Sequence, residues 1–490
     1  MTSFGARGIV RARGLLLAVL AVFALGGIPA QAHAVGLTRA FTDDIFGDPS
    51  EAGWLPRTAA TGVRLALIPT YWAAMEPNPP AGGQNPTDPG GPQYNFAALD
   101  GTVRDFASAG IQVALLVTDA PSWAEAPGGP QYYEAAGGWE PNATAFGQLG
   151  TALAKRYSGS YPDPLHPGRS LPRVKYFQAW AEANFSVHLA PQWTKSGGTW
   201  VNTGAQIYDS MLNAFYAGVK SVHGDNFVVT TGFGPYGDLG PGPCTGPNAP
   251  QVGPGCRTHP ALFARNMVCL QGQSLRKTSC PNPAHFDAMA IDPYEVGGPT
   301  THAVNEDDVS VPDMGKLTRI LSKSVRTGGA LPHTHKQLWV TEFGYDSNPP
   351  NVKAPTSPAG QARWMDQALY LFWKQGVSVA VWYLVRDQAA TYVQGDYYTG
   401  VYFYNGAPKP ALEAYRFPFV VRPPGGSGVV WGIAPRSGSL SVQRKQGRAW
   451  KTLFRIRVGA GSVFVHSISS RLHGSFRGLV GDEASRPWSG

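Results

Sequence analysis

Charge is scarce in this chain of 490 residues: Asp, Glu, Lys and Arg together make up 15%, against roughly 25% in an average soluble protein. A surface finished with so few charges relies on Ser, Thr, Asn, Gln and aromatic side chains. That suits contact with neutral polar molecules. Long apolar runs are also missing, since no stretch after the N-terminal segment reaches the roughly 18 apolar residues of a membrane-spanning helix. Cysteine is limited to four residues, with no CxxC pair to anchor a zinc site. No Walker A loop, GxSxG elbow or HExxH helix appears, so nucleotide, serine-esterase and zincin chemistry have no anchor. Gly (60) and Pro (43) are plentiful but follow no G-X-Y period, which excludes a collagen-like chain.

An apolar content of 43% with 11% aromatics supplies a large core and excludes global disorder. The net charge of +8 is unevenly placed. Arg7, Arg11 and Arg13 carry the N-terminal share, and residues 421–490 hold eleven Lys/Arg against only Asp482 and Glu483. The body between is mildly acidic, unlike the striped basic core of a nucleic-acid binder.

Residues 1–34 read as a secretion signal: three arginines, the apolar stretch 14–27, then Ala32-His33-Ala34 as a small-x-small cleavage site. A retained membrane anchor is the competing reading, although the apolar stretch is short for one. No Cys follows to carry a lipid. The protein is therefore expected to be secreted, with its mature chain starting near Val35. In an oxidising compartment Cys244, Cys256, Cys269 and Cys280, all in one Gly/Pro-rich region, read as two disulfides. Three pairings are open, with the local one (Cys244–Cys256, Cys269–Cys280) favoured.

Between 35 and 420, short apolar runs alternate with amphipathic stretches. The runs are 36–46, 63–69, 111–118, 173–180, 226–232, 285–291, 337–341 and 377–384. Helical spacing marks 96–109, 143–157, 204–222, 312–325, 359–375 and 408–416. This alternation predicts an α/β fold, a (β/α)8 TIM barrel over 35–420. An open doubly wound sheet would show a Gly-rich phosphate loop after its first strand, and none is present. A linker at 423–427 (PPGGS) then opens a small basic all-β module over 421–490, with runs at 438–443, 449–457, 462–468 and 474–480. Its alternating arginines are a solvated strand face or a contact for an anionic cell-wall polymer.

Barrel sites are built at the carboxyl ends of strands. There the sequence places Glu182 after the fourth run and Glu342 after the seventh, facing each other across the mouth. Asp119 ends the third run, Asp292 the sixth, and Asp43 and Asp44 lie in the first. Two opposed carboxyl groups are what glycosidic cleavage requires: one protonates the leaving oxygen, the other attacks the anomeric carbon or activates water. Arg64 would keep one carboxylate ionised, and Tyr294 would hydrogen-bond the same group. Trp72, Trp123, Trp180 and Trp382 would offer flat faces to sugar rings. His333 and His335 precede the seventh run and so fall at the non-catalytic end.

The segments FQAWAEANFSVHLAPQW (177–193) and LWVTEFGYDS (338–347) resemble the acid/base and nucleophile motifs of clan A retaining glycoside hydrolases. The likeness is to the family 39 and family 5 cellulase-like group of actinobacteria, and it covers most of 36–420 including PKPALEAYRFPF (408–419). It implies a retaining double displacement on an oligo- or polysaccharide, with Glu182 as acid/base, Glu342 as nucleophile, and neither metal nor organic cofactor. Two positions depart from the pattern. Ala181 stands where W-N-E-P-N has Asn, which normally bonds the sugar 2-hydroxyl; Asn184 is a candidate replacement. Asp292 stands where His-x-Tyr has His, so a third carboxyl near Glu182 would raise its pKa by like-charge repulsion. A non-catalytic carbohydrate-binding or cell-wall protein on the same barrel is the alternative. The Cys-bearing insertion, following the fifth strand, is expected to wall the catalytic cleft.

Overall fold

The computed structural model describes residues 36–130, 137–238, 240–245, 249, 253–294, 297–389, 397–421, 428–469 and 473–489. The expected signal segment 1–34 and the linker 423–427 lie outside them. Eight parallel strands close into a barrel: β1 Thr38–Thr42, β2 Leu65–Tyr71, β3 Gln112–Thr118, β4 Tyr176–Ala179, β5 Phe227–Phe233, β6 Ala288–Ile291, β7 Gln337–Phe343 and β8 Val377–Tyr383. Each strand hydrogen-bonds its sequence neighbours, and β1 closes on β8 with Ala40 opposite Val381. The predicted (β/α)8 barrel is the observed fold.

A helix follows every strand: α1 Trp54–Ala59, α2 Ala97–Ser108, α3 Ala143–Arg156, α4 Thr203–Val222, α5 Pro260–Met267, α6 Gly315–Thr327, α7 Pro358–Lys374 and α8 Pro410–Arg416. Local chemistry sets several of their starts. Asn142, Asn202 and Ser357 cap α3, α4 and α7 by accepting from Ala145, Ala205 and Gly360 backbone N–H groups. Proline occupies the first helical turn of α5, α7 and α8, where its missing donor costs nothing. Two short helices, α1 and α5, carry too few turns to show a period and were not expected from sequence.

The strands are apolar on both faces because both are covered. Ala40, Leu65, Leu67, Leu116, Val229, Trp339, Val379 and Val381 fill the barrel interior. The opposite faces pack on the helices in one continuous cluster that includes Phe41, Ile68, Phe146, Phe177, Phe215 and Phe372.

Beyond α8 the chain is antiparallel. Phe419–Val421 (β9) pairs with Val429–Ile433 (β10), and β10 with a later strand, Val463–Ser467. Between them run β11 Gly438–Gln446 and β12 Ala449–Val458; the later strand is therefore β13, followed by β14 Ser475–Val480. β11 sits between β12 and β14. This module packs on the last two barrel helices. Trp431 meets Tyr370 and Trp373 of α7, and Arg363 stacks on Trp488 at 3.9 Å.

Both disulfides form, in the local pairing: Cys244–Cys256 and Cys269–Cys280. They do not staple one loop, however. Helix α5 intervenes, so the first bond lies in the β5–α5 connection on the mouth side and the second in the α5–β6 connection at the base. Only the first belongs near the cleft. Among the described residues no helix is long and apolar enough to cross a membrane.

Candidate active site

At the end of β4 the chain makes an unusual turn. Trp180 and Glu182 hold positive φ (77° and 34°), and Asp119 at the end of β3 does too (57°). Such conformations are uncommon outside glycine and collect at functional sites. They persist here because the backbone is pinned on all sides. Trp180 N donates to Val117 O, Glu182 N to Gly232 O, and Phe185 N to Glu182 O. Trp180 Nε1 also donates to His188 O at 2.9 Å. The turn leaves the Glu182 carboxylate at the mouth, with His188 Nε2 3.5 Å from Oε2.

Glu342 lies across the mouth near the end of β7. Tyr294 donates its hydroxyl to Glu342 Oε2 at 3.1 Å. Burial and the Glu182 charge push the Glu342 carboxyl up to about 8, against the Tyr294 hydrogen bond and the positive field of His188. Beneath it Asp292 is buried, accepts from the Thr341 hydroxyl at 2.6 Å, and is held well above the carboxylate range by burial and then by Glu342 and Glu182. A side chain at Gly232 would strike Asp292 Oδ2 at 2.3 Å, so that strand position must stay bare for the Asp292 carboxyl to fit.

His188 completes the group, and sequence reasoning passed over it. Burial pulls its imidazolium down, but the hydrogen bond and charge of Glu182, with the charges of Asp119 and Glu342, outweigh this and leave its pKa raised. Asp119 is itself raised by burial, against Thr118 and His188. One histidine therefore sits in the field of three carboxylates.

Several expected positions need correction. Arg64 immediately precedes β2 and is exposed at the barrel base, away from both glutamates. The cation acting on Glu342 is His188. Trp72, Trp180 and Trp382 are fully buried and present no face to a ligand; their indole N–H groups bond Glu76, His188 O and Thr399 O. Trp123 is half-buried, edge-on to Trp72, and bonds Glu76 O. Asn184 is buried and spends its amide on Gly234 and Thr258 backbone groups, so it does not stand in for the Asn missing at 181.

Tyrosines line the mouth instead. Tyr71 (49% exposed) ends β2, Tyr383 ends β8, and Tyr397 is 41% exposed beside Tyr294 and Tyr383. Burial, followed by carboxylate charges that include Glu342, raises the phenol pKa of each, which places them around that carboxylate. Asp44 joins them by accepting from the Tyr383 hydroxyl at 3.2 Å and from Gln388 at 2.8 Å. A cavity of about 250 Å³ opens beside Glu342, with Tyr294, Tyr397, Trp364, Asn351 and Lys353 in its wall. Its neighbour Asp43 is buried and accepts from Val385 and Arg386 N–H groups; its role is closing the barrel.

No family model matches the sequence, and comparison with curated proteins finds no match. Solved structures do match. A family 39 glycoside hydrolase from the gut symbiont Bacteroides cellulosilyticus WH2 superposes with a TM-score of 0.53 at 14% identity, over 89% of this chain and 81% of that one. This chain has that barrel fold. A family 39 enzyme from Xanthomonas axonopodis pv. citri follows at 0.46 and 13%, covering 88% and 91% of the two chains. A GH5_18 protein from Bifidobacterium longum subsp. infantis gives 0.44 and 12%, covering 78% of each.

Proposed function

We propose that this protein is an exported glycosidase that cleaves O-glycosidic bonds by a retaining double displacement. The observation that carries the reading is the placement of Glu182 and Glu342 at the ends of β4 and β7 on one barrel mouth, near enough that the Glu182 charge raises the Glu342 carboxyl, with a tyrosine hydroxyl on the second. Glu182 protonates the leaving oxygen, and Glu342 attacks the anomeric carbon to form a glycosyl ester. Glu182 then deprotonates the water that releases it. Asp119 and the tyrosine rim supply hydrogen bonds and ring faces to a neutral sugar. Export accords with the two disulfides.

The proton inventory suits this cycle. Burial and the Glu182 charge favour a proton on Glu342 in the free protein. Catalysis requires one proton on the pair, on Glu182, so substrate need only move it. Positive charge developing at the anomeric carbon, together with His188, favours ionised Glu342 in the transition state.

A mechanism-based glycosyl inhibitor panel tests the reading, with the label located by mass spectrometry. An ester on Glu342 supports it. Absence of both labelling and turnover on every glycoside, with oligosaccharide binding retained, would sink it. That outcome favours the second reading, a non-catalytic carbohydrate-binding barrel, for which Ala181 speaks, as does the absence, among the described residues, of an arginine acting on Glu342.

A further inference from the structure

The sheet β12–β11–β14 has two unlike faces. Leu440, Val442 and Val480 are buried beneath it. The register puts Ser439 beside Arg457, Ser441 beside Arg455 and Leu479, and Gln443 beside Arg477 and Thr452. Residues so paired share a face. Lys445 and Trp450, paired one step further, fall on it too because the irregularity between Val442 and Gln443 is taken up in β12. The outer face therefore carries Arg455, Arg457, Arg477 and Lys445. Its side-chain contacts confirm the arrangement: Arg455 Nε donates to Ser441 at 3.1 Å, Arg477 Nε to Gln443 at 2.8 Å, and Arg477 stacks on Trp450 at 4.5 Å.

Among the described residues no carboxylate joins them on this face. The acids of the nearby turn are engaged elsewhere, Asp482 with Arg436 and Glu483 with Arg416. Four cations on a flat, twisted sheet, bonded within it only to neutral groups, leave planar donor forks that carboxylates complete in pairs. Hydroxyls of Ser439, Ser441 and Thr452 and the half-buried indole of Trp450 lie between them, as hydrogen-bond partners and an apolar surface for sugar rings.

We propose that this face docks an anionic polysaccharide whose sugars bear carboxylates, and that it tethers the barrel to such a polymer. The choice of polymer rests on the glycosidase reading, whereas the cationic surface does not. Arginines two apart along a strand repeat at about 6.6 Å, and neighbouring strands lie about 4.8 Å apart, so a chain laid across the face meets several charges at once. The mouth, with Glu182, Glu342, Asp119 and Asp44, repels the same polymer.

The test is affinity electrophoresis of the full chain through gels holding polygalacturonate, with neutral amylose as the control. Retardation by polygalacturonate alone, weakening as salt rises, is expected. Arg455→Gln/Arg457→Gln should weaken it at least tenfold with an unchanged melting temperature. Should that variant melt early, Lys445→Gln at the exposed hairpin end replaces it, with a few-fold loss expected. The proposal is overturned by no retardation at low salt, by equal retardation in amylose, or by a well-folded variant that binds like the parent. Single-stranded DNA or phosphatidylglycerol vesicles displacing polygalacturonate at lower charge concentration overturn the choice of polymer. Because no turnover is read, failure here is distinguishable from failure of the glycosidase reading.

Discussion

The barrel mouth and the outer face of the terminal sheet handle charge in opposite ways. At the mouth, half-buried Glu342 and buried Asp292 are crowded together, with neighbouring hydroxyls and one histidine to ease them. On the sheet, four cations stand with neutral partners and, among the described residues, no acid. Crowding like charges in a desolvated cleft forces protons onto carboxyls, which makes acid–base chemistry. Spreading like charges over a wet, flat face leaves them free to gather a counter-charge. The +8 net charge hides both arrangements.

The comparison breaks most visibly at Glu342. Glu342→Gln should lower turnover of an activated aryl glycoside on the order of 10⁴-fold or more, while polygalacturonate retardation stays as in the parent. Loss of both would mean that the two regions are not separate. Glu182→Gln should cost about 10²–10⁴-fold on glycosides with poor leaving groups and far less with dinitrophenyl leaving groups, which need no proton. An equal loss on both would remove Glu182 from the acid role.

A finer cut tests whether His188 is the cation of the mouth. It lowers the Glu342 pKa, so His188→Gln should raise it and carry both limbs of the pH–rate profile to higher pH. One unit of displacement would cost about tenfold in rate on the acid limb. A uniform loss at every pH, with limbs unmoved, would make His188 merely structural.

The barrel was legible because strand and helix periods alternate, and the position of the two glutamates at its mouth because they follow the fourth and seventh runs. The aromatic lining was misread for a reason visible in the pleat. Side chains alternate along a strand, and Leu65 and Leu67 fill the barrel interior, as do Val379 and Val381. Tyr71 and Tyr383 share their parity and reach the mouth; Trp72 and Trp382 fall on the other side and are buried among helices. Counting parity from the interior residues would have chosen tyrosine. Trp180 obeys no such count, because its positive φ turns it outward. Arg64 was misplaced by end: it precedes β2 instead of following it. His188 lies nine residues beyond the end of β4, in a loop whose return to Glu182 only the folded chain reveals.

The smallest expected effect is on stability, and it comes from the barrel. Burial lifts Asp387 to about 6, Asp43 and Glu76 to about 7, and Asp209 and Glu342 to about 8. In the unfolded chain such groups release their protons near pH 4. Between pH 4 and 8 the native state therefore binds more protons than the unfolded one, and stability must fall as pH rises. His188 and His259, both raised, act in the same direction above the ordinary histidine value. Thermal unfolding followed by circular dichroism should give a midpoint several degrees higher at pH 5 than at pH 8. Asp209→Asn, which removes one titrating group while keeping its bond with Asn282, should flatten the slope. A midpoint that instead rises from pH 5 to pH 8 would show these carboxyls ionised in the native barrel, and with them the proton that the mouth is argued to hold on Glu342.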